Sequence, residues 1–387
     1  MIEKNKNLRI LTFSTDKSIL KESSRAHKRC IEYGELVEKY NVLLASDSAK
    51  QIVKTNAVTI QAIFCHNLSS VLKRIVVIFK FYAEAKKIIK DEKINIISSQ
   101  DPFEYGFLAY VLSKKFKIGL HIQNHGDFFS NNYWKSENLL HFFRYYLGIF
   151  VMKKANSIRV VSKRIKKTLI EKLKINSSLI INVPILNEPE SQAKVASTSR
   201  GKYEDKFVFL TIARLEREKN ISLMVEAMLE VKNKIKNAHL LIVGDGREKN
   251  NLQNKTEKLK LNDSVEFVGW ANNIFHYYNL ADTYLLTSNH EGWGMVLIEA
   301  ISAGLPIITT DVGCVGEVII DKENALAIPV ADKDALIAAM IKIASDSVLQ
   351  QKLSTGAKLS YDKLFFRNSE VRLKRYQESW EIAILNI

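Results

Sequence analysis

The feature that most constrains the fold of this chain is an alternation of short apolar strands with longer helical patterns, which is interrupted once and then starts again. The first series contains seven predicted strands, and a second series starts at Phe207. A helix between two strands favours parallel pairing, because it carries the chain back across the face of the sheet. The sequence therefore predicts an α/β protein with two doubly wound, Rossmann-like parallel sheets.

The predicted strands of the first series are Leu8–Phe13, Val42–Ala45, Val58–Phe64, Ile94–Ser98, Ile118–Gln123, Ser157–Val160 and Leu179–Asn182. The helices between them are predicted near Ser23–Lys39, Leu68–Lys90, Phe103–Lys115, Glu137–Lys154 and Lys163–Leu173.

Chain length and composition indicate two domains. A chain of 387 residues, 47% of them hydrophobic, is too long for one ordinary core and too apolar to be disordered. Between the two series lies a polar stretch rich in Ser and Glu. We predict a first domain at 1–186, a linker at 187–206 and a second domain at 207–363.

The three cysteines, Cys30, Cys65 and Cys314, are scattered and lack metal-ligand spacing. They are predicted to be small buried hydrophobes in a reducing compartment. The first residues run directly into a strand without a signal-peptide core, and no apolar stretch approaches the ~20 residues of a spanning helix. These features predict a cytoplasmic protein whose membrane contact is peripheral, on the inner face of the cytoplasmic membrane.

Positive charge is concentrated in the first half of the chain. Residues 1–200 contain 34 Lys and Arg against 17 Asp and Glu. This excess favours an anionic partner: a membrane surface, a nucleic acid or a phosphorylated acceptor. Nucleic acid is disfavoured, because no reader motif accompanies the charge. The segments Val71–Lys90 and Leu139–Lys154 interleave aromatic and basic residues, which favours an anionic membrane surface. The alternative is that their apolar residues face the sheet and their lysines reach solvent.

In the second half a predicted strand at 284–286 leads into the segment SNHEGWGMVLIEAISAGLPIITT, residues 288–310, which contains a glycine-rich turn, a helix and a second strand. Free N–H groups at such a turn and helix N-terminus favour an anion, and flanking carboxylates can bind hydroxyls. Glu291 and Glu299 are those carboxylates. A pocket for both an anion and hydroxyls suggests a sugar nucleotide. The residues predicted to form it are Glu291, Gly292, Trp293, Gly294, Met295, Val296 and Glu299.

Two earlier loops extend this predicted site. Arg214 and Lys219 follow the first strand of the second domain, where a guanidinium and an ammonium can converge on one pyrophosphate. Gly244 and Gly246 form a tight turn after the next predicted strand at 239–243. Trp270 follows a further strand and is predicted either to stack near a base or to be buried.

Taken together, these motifs resemble those of the family-4 retaining glycosyltransferases, which have the GT-B fold of two Rossmann-like domains with a ligand cleft between them. Residues 211–220 resemble the family's GRLxxxKN motif, with Ala213 in place of its glycine. The resemblance implies that Arg214 and Lys219 hold the donor pyrophosphate, that Glu299 binds the ribose and that Glu291 contacts the donor sugar. It also implies that a C-terminal helix at about 364–387 packs back on the first domain.

In the first domain the resemblance points to the loop QNHGDFF. His125 matches the family histidine that reaches donor phosphate and sugar, and Asp127 is a candidate for orienting His125 or the acceptor. The glycine-rich turn that many members have after the first strand is missing, so acceptor binding is expected to differ. Lys17 and Arg25 are candidate anion contacts there.

The expected function is therefore transfer of a hexosyl or N-acetylhexosaminyl group, with retention, from a nucleotide-diphosphate sugar to a sugar or lipid-linked glycan acceptor. The resemblance implies a role in polysaccharide, lipopolysaccharide or other glycoconjugate biosynthesis. Neither a metal nor a cofactor is expected, the nucleotide sugar being a substrate. Two alternatives remain open: a sugar-nucleotide epimerase of the same fold, and a non-catalytic sugar-nucleotide-binding subunit recruited to the membrane.

Overall fold

The computed structural model describes residues 3–46, 52–64, 71–130, 133–185, 200–365 and 369–387. They belong to two compact units. The first unit comprises Met1–Asn187 and Asn368–Ile387, and the second comprises Glu188–Arg367. Most of the predicted linker and Cys65 lie outside the described residues. Where the description resumes, Arg200 pairs with Asp282 at 2.7 Å and so ties this end of the linker to the second unit.

The described residues of the first unit form an eight-stranded sheet in the order β3-β4-β2-β1-β5-β6-β7-β8. Only β3 among these strands pairs antiparallel. The strands are β1 (Asn5–Ser14), β2 (Val37–Ser46), β3 (Ile52–Lys54), β4 (Val58–Phe64), β5 (Ile96–Ser99), β6 (Gly119–Asn124), β7 (Ser157–Val160) and β8 (Ile180–Asn182). The helices are α1 (Arg25–Glu35), α2 (Val71–Asp91), α3 (Glu104–Phe116), α4 (Tyr133–Ser136), α5 (Leu139–Lys154) and α6 (Lys163–Glu171).

The largest differences from the sequence prediction in the first unit are the end of α1 and the edge strand β3. The helix predicted to Lys39 ends at Glu35, because Val37 and Lys39 pair with Asn5 and Arg9 in the sheet. Tertiary strand pairing overrides a local pattern that is compatible with both structures. Strand β3 has three residues at a sheet edge, which is too short for an alternating pattern to be recognised.

The described residues of the second unit form a six-stranded parallel sheet in the order β11-β10-β9-β12-β13-β14. Its strands are β9 (Phe207–Ile212), β10 (Ala238–Val243), β11 (Val265–Gly269), β12 (Thr283–Leu286), β13 (Ile307–Thr310) and β14 (Ala325–Ile328). Its helices are α7 (Ile221–Lys234), α8 (Lys249–Lys258), α9 (Phe275–Leu280), α10 (Met295–Ser302), α11 (Lys333–Ser345) and α12 (Ser347–Phe365). The main core lies between the sheet and α7, α8 and α11.

The C-terminal helix α13 (Ser369–Leu385) packs on the first unit, against β6, β7 and β8. Tyr376 and Trp380 are buried there, and Tyr376 stacks on Tyr33 with ring centroids 4.1 Å apart. Gly119 permits the close approach, since a Cβ at this position would lie 2.7 Å from the Ala383 carbonyl oxygen. No helix among the described residues is long and apolar enough to cross a membrane.

Strand order reverses once in each sheet, between β1 and β5 in the first unit and between β9 and β12 in the second. The loops that leave the carboxyl ends of two such strands turn to opposite faces of the sheet and leave a crevice. Ligands of open α/β sheets bind at this position. The fold therefore offers one candidate site in each unit.

Candidate functional site

In the second unit a cavity of about 200 Å³ lies at the carboxyl ends of β9 and β12, where the strand order reverses. Four of the residues predicted to bind the donor line it: Arg214, Lys219, Glu291 and Val296. The other predicted donor residues, Gly244, Gly246, Gly292, Trp293, Gly294, Met295 and Glu299, are not among its lining residues.

The two cations of this site have different surroundings. The Arg214 side chain is 70% exposed and meets Glu218 at 3.3 Å. Lys219 is largely buried, and its Nζ lies 2.6 Å from Glu291 Oε1. The sequence did not predict this ion pair. It joins a residue expected at the pyrophosphate to a residue expected at the sugar.

Glu291 is held by the loop that follows β12. Ser288 donates its hydroxyl proton to Glu291 Oε1 at 2.8 Å. The same loop is tied to the loop after β9, because Thr287 Oγ1 donates to the Lys219 carbonyl at 3.1 Å and the Asn289 N–H donates to the Glu218 carbonyl at 2.8 Å. These bonds hold the Lys219–Glu291 pair between two loops from neighbouring strands.

The glycine-rich turn brings the chain into α10. Gly294 precedes the helix with φ +84°, a left-handed conformation in which any side chain would be strained. Trp293 is only 4% exposed, and its indole N–H has no hydrogen-bond partner among the described residues. A buried donor of this kind is available to water or to a ligand.

Glu299 lies on α10, and Tyr278 donates its hydroxyl proton to Glu299 Oε2 at 3.2 Å. From the sequence, Glu299 is expected to bind ligand hydroxyls. Tyr278 already supplies a protein partner. Burial, and then the neighbouring Tyr284 and Glu299, raise the pKa of Tyr278 well above its usual value. The Tyr278 hydroxyl therefore remains a donor to Glu299.

Gly244 and Gly246 are explained by packing alone. A Cβ on Gly244 would lie 1.9 Å from the Ala213 carbonyl oxygen, and one on Gly246 would lie 2.4 Å from the Leu215 carbonyl oxygen. The turn after β10 thus packs directly against the backbone on both sides of Arg214. Trp270 is 75% exposed, so the expectation that it is buried is wrong.

In the first unit a cavity of about 350 Å³ opens at the carboxyl ends of β1, β5 and β6. His125 lines it, as do three arginines that the sequence analysis did not single out: Arg29, Arg159 and Arg372. Burial, and then the charge of Arg159, lower the pKa of His125 to about 3. The imidazole is therefore neutral near pH 7 and can donate only a neutral hydrogen bond.

Gln123 organises the polar groups beneath this cavity. Its Oε1 lies 3.0 Å from Arg159 Nη1, 2.9 Å from the Tyr376 hydroxyl and 3.2 Å from His125 Nε2. Its amide nitrogen donates to Ser98 Oγ, which also bonds His121. This network connects β6, β7 and α13, so the orientation of His125 depends on the C-terminal helix.

The three acceptor-side candidates lie around this cavity but do not line it. Lys17 lies in the short turn after β1, and Arg25 is the first residue of α1. Asp127 is buried two residues beyond His125, and the hydrogen bond that His125 makes among the described residues goes to Gln123 instead. The signal missed in the sequence was Arg159, a charged residue inside the apolar strand SIRV.

A metal-ligand cluster was not expected from the sequence. Among the described residues no group of three or more His, Cys, Asp or Glu side chains is arranged to hold a metal ion.

Comparison with known proteins finds a family match that covers most of the second unit. Residues 194–360 match the family model of the glycosyl transferases group 1. The lipopolysaccharide core biosynthesis glycosyltransferase LpsD of Rhizobium meliloti is 32% identical over 152 residues, which are 39% of this chain and 43% of LpsD. The chain thus matches less than half of that relative's length.

Two further comparisons cover more of the chain. The UDP-Gal:alpha-D-GlcNAc-diphosphoundecaprenol alpha-1,3-galactosyltransferase of Escherichia coli is 25% identical over 299 residues, 74% of each protein. The solved structure of sucrose-phosphate synthase from Thermosynechococcus elongatus has a TM-score of 0.79 at 18% identity, with 97% of this chain and 98% of that chain covered. The fold is therefore the GT-B fold expected from the sequence.

Proposed function

We propose that this chain, whose residues 194–360 match the family model of the glycosyl transferases group 1, transfers a hexosyl or N-acetylhexosaminyl group from a nucleotide-diphosphate sugar to an acceptor. The observation that carries the proposal is the buried Lys219–Glu291 pair beside Arg214, in one cavity at the carboxyl ends of β9 and β12. The cations Arg214 and Lys219 can bind a pyrophosphate. The Glu291 carboxylate can accept hydrogen bonds from sugar hydroxyls. The position is one at which doubly wound sheets bind nucleotides.

In the proposed reaction the bond between the anomeric carbon and the phosphate oxygen breaks, and a bond to the acceptor oxygen forms. The nucleoside diphosphate leaves with the bonding electron pair, and the acceptor hydroxyl proton passes to the departing phosphate on the same face, which gives retention. Arg214 and Lys219 stabilise the negative charge that develops on that phosphate. The reaction as proposed uses neither a metal nor a cofactor, because these cations do the neutralising.

The remaining residues act on binding. Glu291, held by Lys219 and Ser288, orients the donor sugar. Glu299 binds the ribose hydroxyls, and Gly292, Trp293, Gly294 and Met295 border the donor through the turn before α10. His125 is assigned as a neutral ligand contact that accepts a hydrogen bond, because its one ring N–H is directed at Gln123 Oε1.

The acceptor is proposed to be a sugar or a lipid-linked glycan in cell-surface glycoconjugate biosynthesis. The support comes from relatives: one takes part in lipopolysaccharide core biosynthesis, and the name of another specifies a diphosphoundecaprenol-linked N-acetylglucosamine. Work at such an acceptor would place the protein on the cytoplasmic face of the membrane.

The donor-site assignment is tested on Glu299. A thermal-shift panel of UDP-, GDP- and ADP-sugars first identifies the base, because a bound ligand raises the unfolding temperature. Glu299→Ala is then expected to weaken binding of that nucleoside diphosphate about 10- to 100-fold, since a hydrogen bond to a charged group contributes roughly 1.5–3 kcal/mol. The wild type should discriminate against the 2′,3′-dideoxy nucleotide, and the variant should not.

Tyr278→Phe is the matched control for Glu299→Ala. It removes the hydroxyl that donates to Glu299 Oε2 and keeps the carboxylate, so nucleotide affinity should change by no more than about threefold. If Glu299→Ala retains wild-type affinity and still discriminates between ribose and dideoxyribose, the assignment of Glu299 to the ribose is wrong.

A surface of the first unit supports peripheral membrane association. Phe79 on α2 is 68% exposed, and Leu139 and Phe143 on α5 are 72% and 62% exposed. The alternative in which the apolar residues of these helices face the sheet is wrong for these three. The exposed Lys80 directly follows Phe79 on α2, and the exposed Lys153 and Lys154 end α5, so the same helices carry apolar anchors and positive charge. This combination suits an anionic lipid surface.

The protein is therefore expected to sediment with phosphatidylglycerol vesicles at low salt and to be released at high salt, because salt screens exposed charges. Phe143→Ser should reduce the bound fraction severalfold. Val348→Ser is the control, since Val348 is 79% exposed but lies on the second unit. Equal recovery with neutral and anionic vesicles would count against membrane association by charge.

A further inference from the structure

We propose that the 350 Å³ cavity of the first unit binds the phosphoryl group of a phosphorylated sugar acceptor, through Arg29, Arg159 and Arg372. This inference rests on the proposed function, since the bound sugar phosphate is an acceptor only if the protein transfers a sugar. The described residues that line the cavity all belong to the first unit. The ligand chemistry is a phosphate ester or diphosphate, carried either by a free sugar or by a lipid-linked sugar.

The main support for this site is the buried guanidinium of Arg159. Its side chain is 4% exposed, and its guanidinium donates to the Val183 carbonyl at 2.9 Å and to Gln123 Oε1 at 3.0 Å. Its guanidinium carbon also lies 4.7 Å from the centroid of the Tyr376 ring. These partners are all neutral, and no carboxylate of the described residues forms an ion pair with Arg159. A buried charge without a counter-charge is costly. An anionic ligand in the adjoining cavity would supply that counter-charge.

Two further arginines reach the same cavity from different elements. Arg29 comes from α1 and Arg372 from α13, and Arg372 pairs with Glu32 at 3.2 Å. The Arg372 side chain is 11% exposed and the Glu32 side chain 44%, so solvent reaches this pair from the Glu32 side only. Among the described lining residues Asp16 is the one carboxylate, and its Oδ1 already accepts from the Ser18 N–H and hydroxyl at 2.9 and 2.6 Å. Three guanidinium groups face the carboxylates of Asp16 and Glu32, so cationic side chains outnumber these anionic ones around the cavity.

The position and the volume of the cavity are both compatible with a phosphorylated sugar. The cavity lies where the strand order reverses between β1 and β5, the position at which open α/β sheets bind ligands. Its volume of about 350 Å³ is at the lower end of the range for small-molecule sites. Thr15 and Gln100 add polar groups that can bind sugar hydroxyls, and Tyr33 and Tyr40 form an aromatic wall.

The test is calorimetric titration of the full chain with two anionic probes. Glucose 1-phosphate represents a free sugar phosphate, geranyl diphosphate represents a lipid-linked diphosphate, and methyl glucoside is the uncharged control probe. At least one anion should bind, and Arg29→Gln and Arg372→Gln should each weaken it about tenfold or more. Lys28→Gln and Arg375→Gln are matched controls, because both residues are exposed neighbours on the same helices and neither lines the cavity.

The Arg159→Gln variant is used only if its thermal unfolding is unchanged. The Arg29→Gln and Arg372→Gln variants decide the test. The inference is overturned if neither anion binds, if methyl glucoside binds equally well, or if binding is lost in Arg214→Ala but kept in the first-unit variants. Nucleoside diphosphate binding is measured on the same samples. If the nucleotide binds while neither anion does, this inference alone is wrong; if no nucleotide binds, the proposed function fails with it.

Discussion

Arg214→Ala is expected to reduce sugar transfer about 10²- to 10³-fold, the usual effect of removing one group that stabilises charge in a transition state. The loss should fall mainly on kcat, because the charge on the leaving phosphate is largest in the transition state. Thermal unfolding should be unchanged. The Arg214 side chain is 70% exposed, and its surface ion pair with Glu218 at 3.3 Å contributes little to the stability of the fold.

Arg217→Ala is the matched control for Arg214. Arg217 lies three residues further on, its side chain is 83% exposed, and it pairs with Glu248 at 3.3 Å in the same manner. It does not line the cavity. Transfer by Arg217→Ala should stay within about twofold of the wild type. Near wild-type turnover by purified Arg214→Ala would remove Arg214 from the donor site.

Glu291→Ala is expected to abolish measurable transfer and also to destabilise the second unit by roughly 1–3 kcal/mol, less than the full cost of breaking a deeply buried pair. The physical reason is that Lys219, 18% exposed, loses the carboxylate 2.6 Å away. Ser288 loses the acceptor of its hydroxyl proton at the same time. The measurements are transfer rate and thermal unfolding on the same preparation.

Glu291→Gln separates the two effects of Glu291→Ala. A glutamine Oε1 can still accept from Lys219 and Ser288, so most of the stability should return. Transfer should remain low if the carboxylate acts on the donor sugar. A Glu291→Gln protein with wild-type transfer would show that Glu291 only positions Lys219.

Much of the fold follows from local pattern. Strands β4, β7 and β9 have the predicted bounds, because each is a short segment in which β-branched or aromatic residues make up at least half of the positions. The end of α1 was wrong because its last residues suit either a helix or a strand, and pairing of Val37 with Asn5 decides between them. The C-terminal helix was predicted to begin at about residue 364. In the structure α12 ends at Phe365 and α13 begins at Ser369.

The candidate site was predictable only in part. Arg214, Lys219 and Glu291 could be named because each lies in a short motif after a predicted strand. Their pairing could not, because Lys219 and Glu291 are far apart in the chain and meet only when β9 and β12 become neighbours. The first-unit cavity was missed for the same reason, since its arginines come from α1, β7 and α13.

The sequence by itself determined two parallel sheets and the loops that carry the donor motif, because periodicity and turn residues are local properties. The tertiary structure decided which side chains share a cavity and what charge each one faces. Strand order places β9 beside β12 and β1 beside β5, and the return of α13 brings Tyr376 and Arg372 to the first sheet. Such contacts depend on distances between residues remote in sequence, and only the folded chain sets those distances.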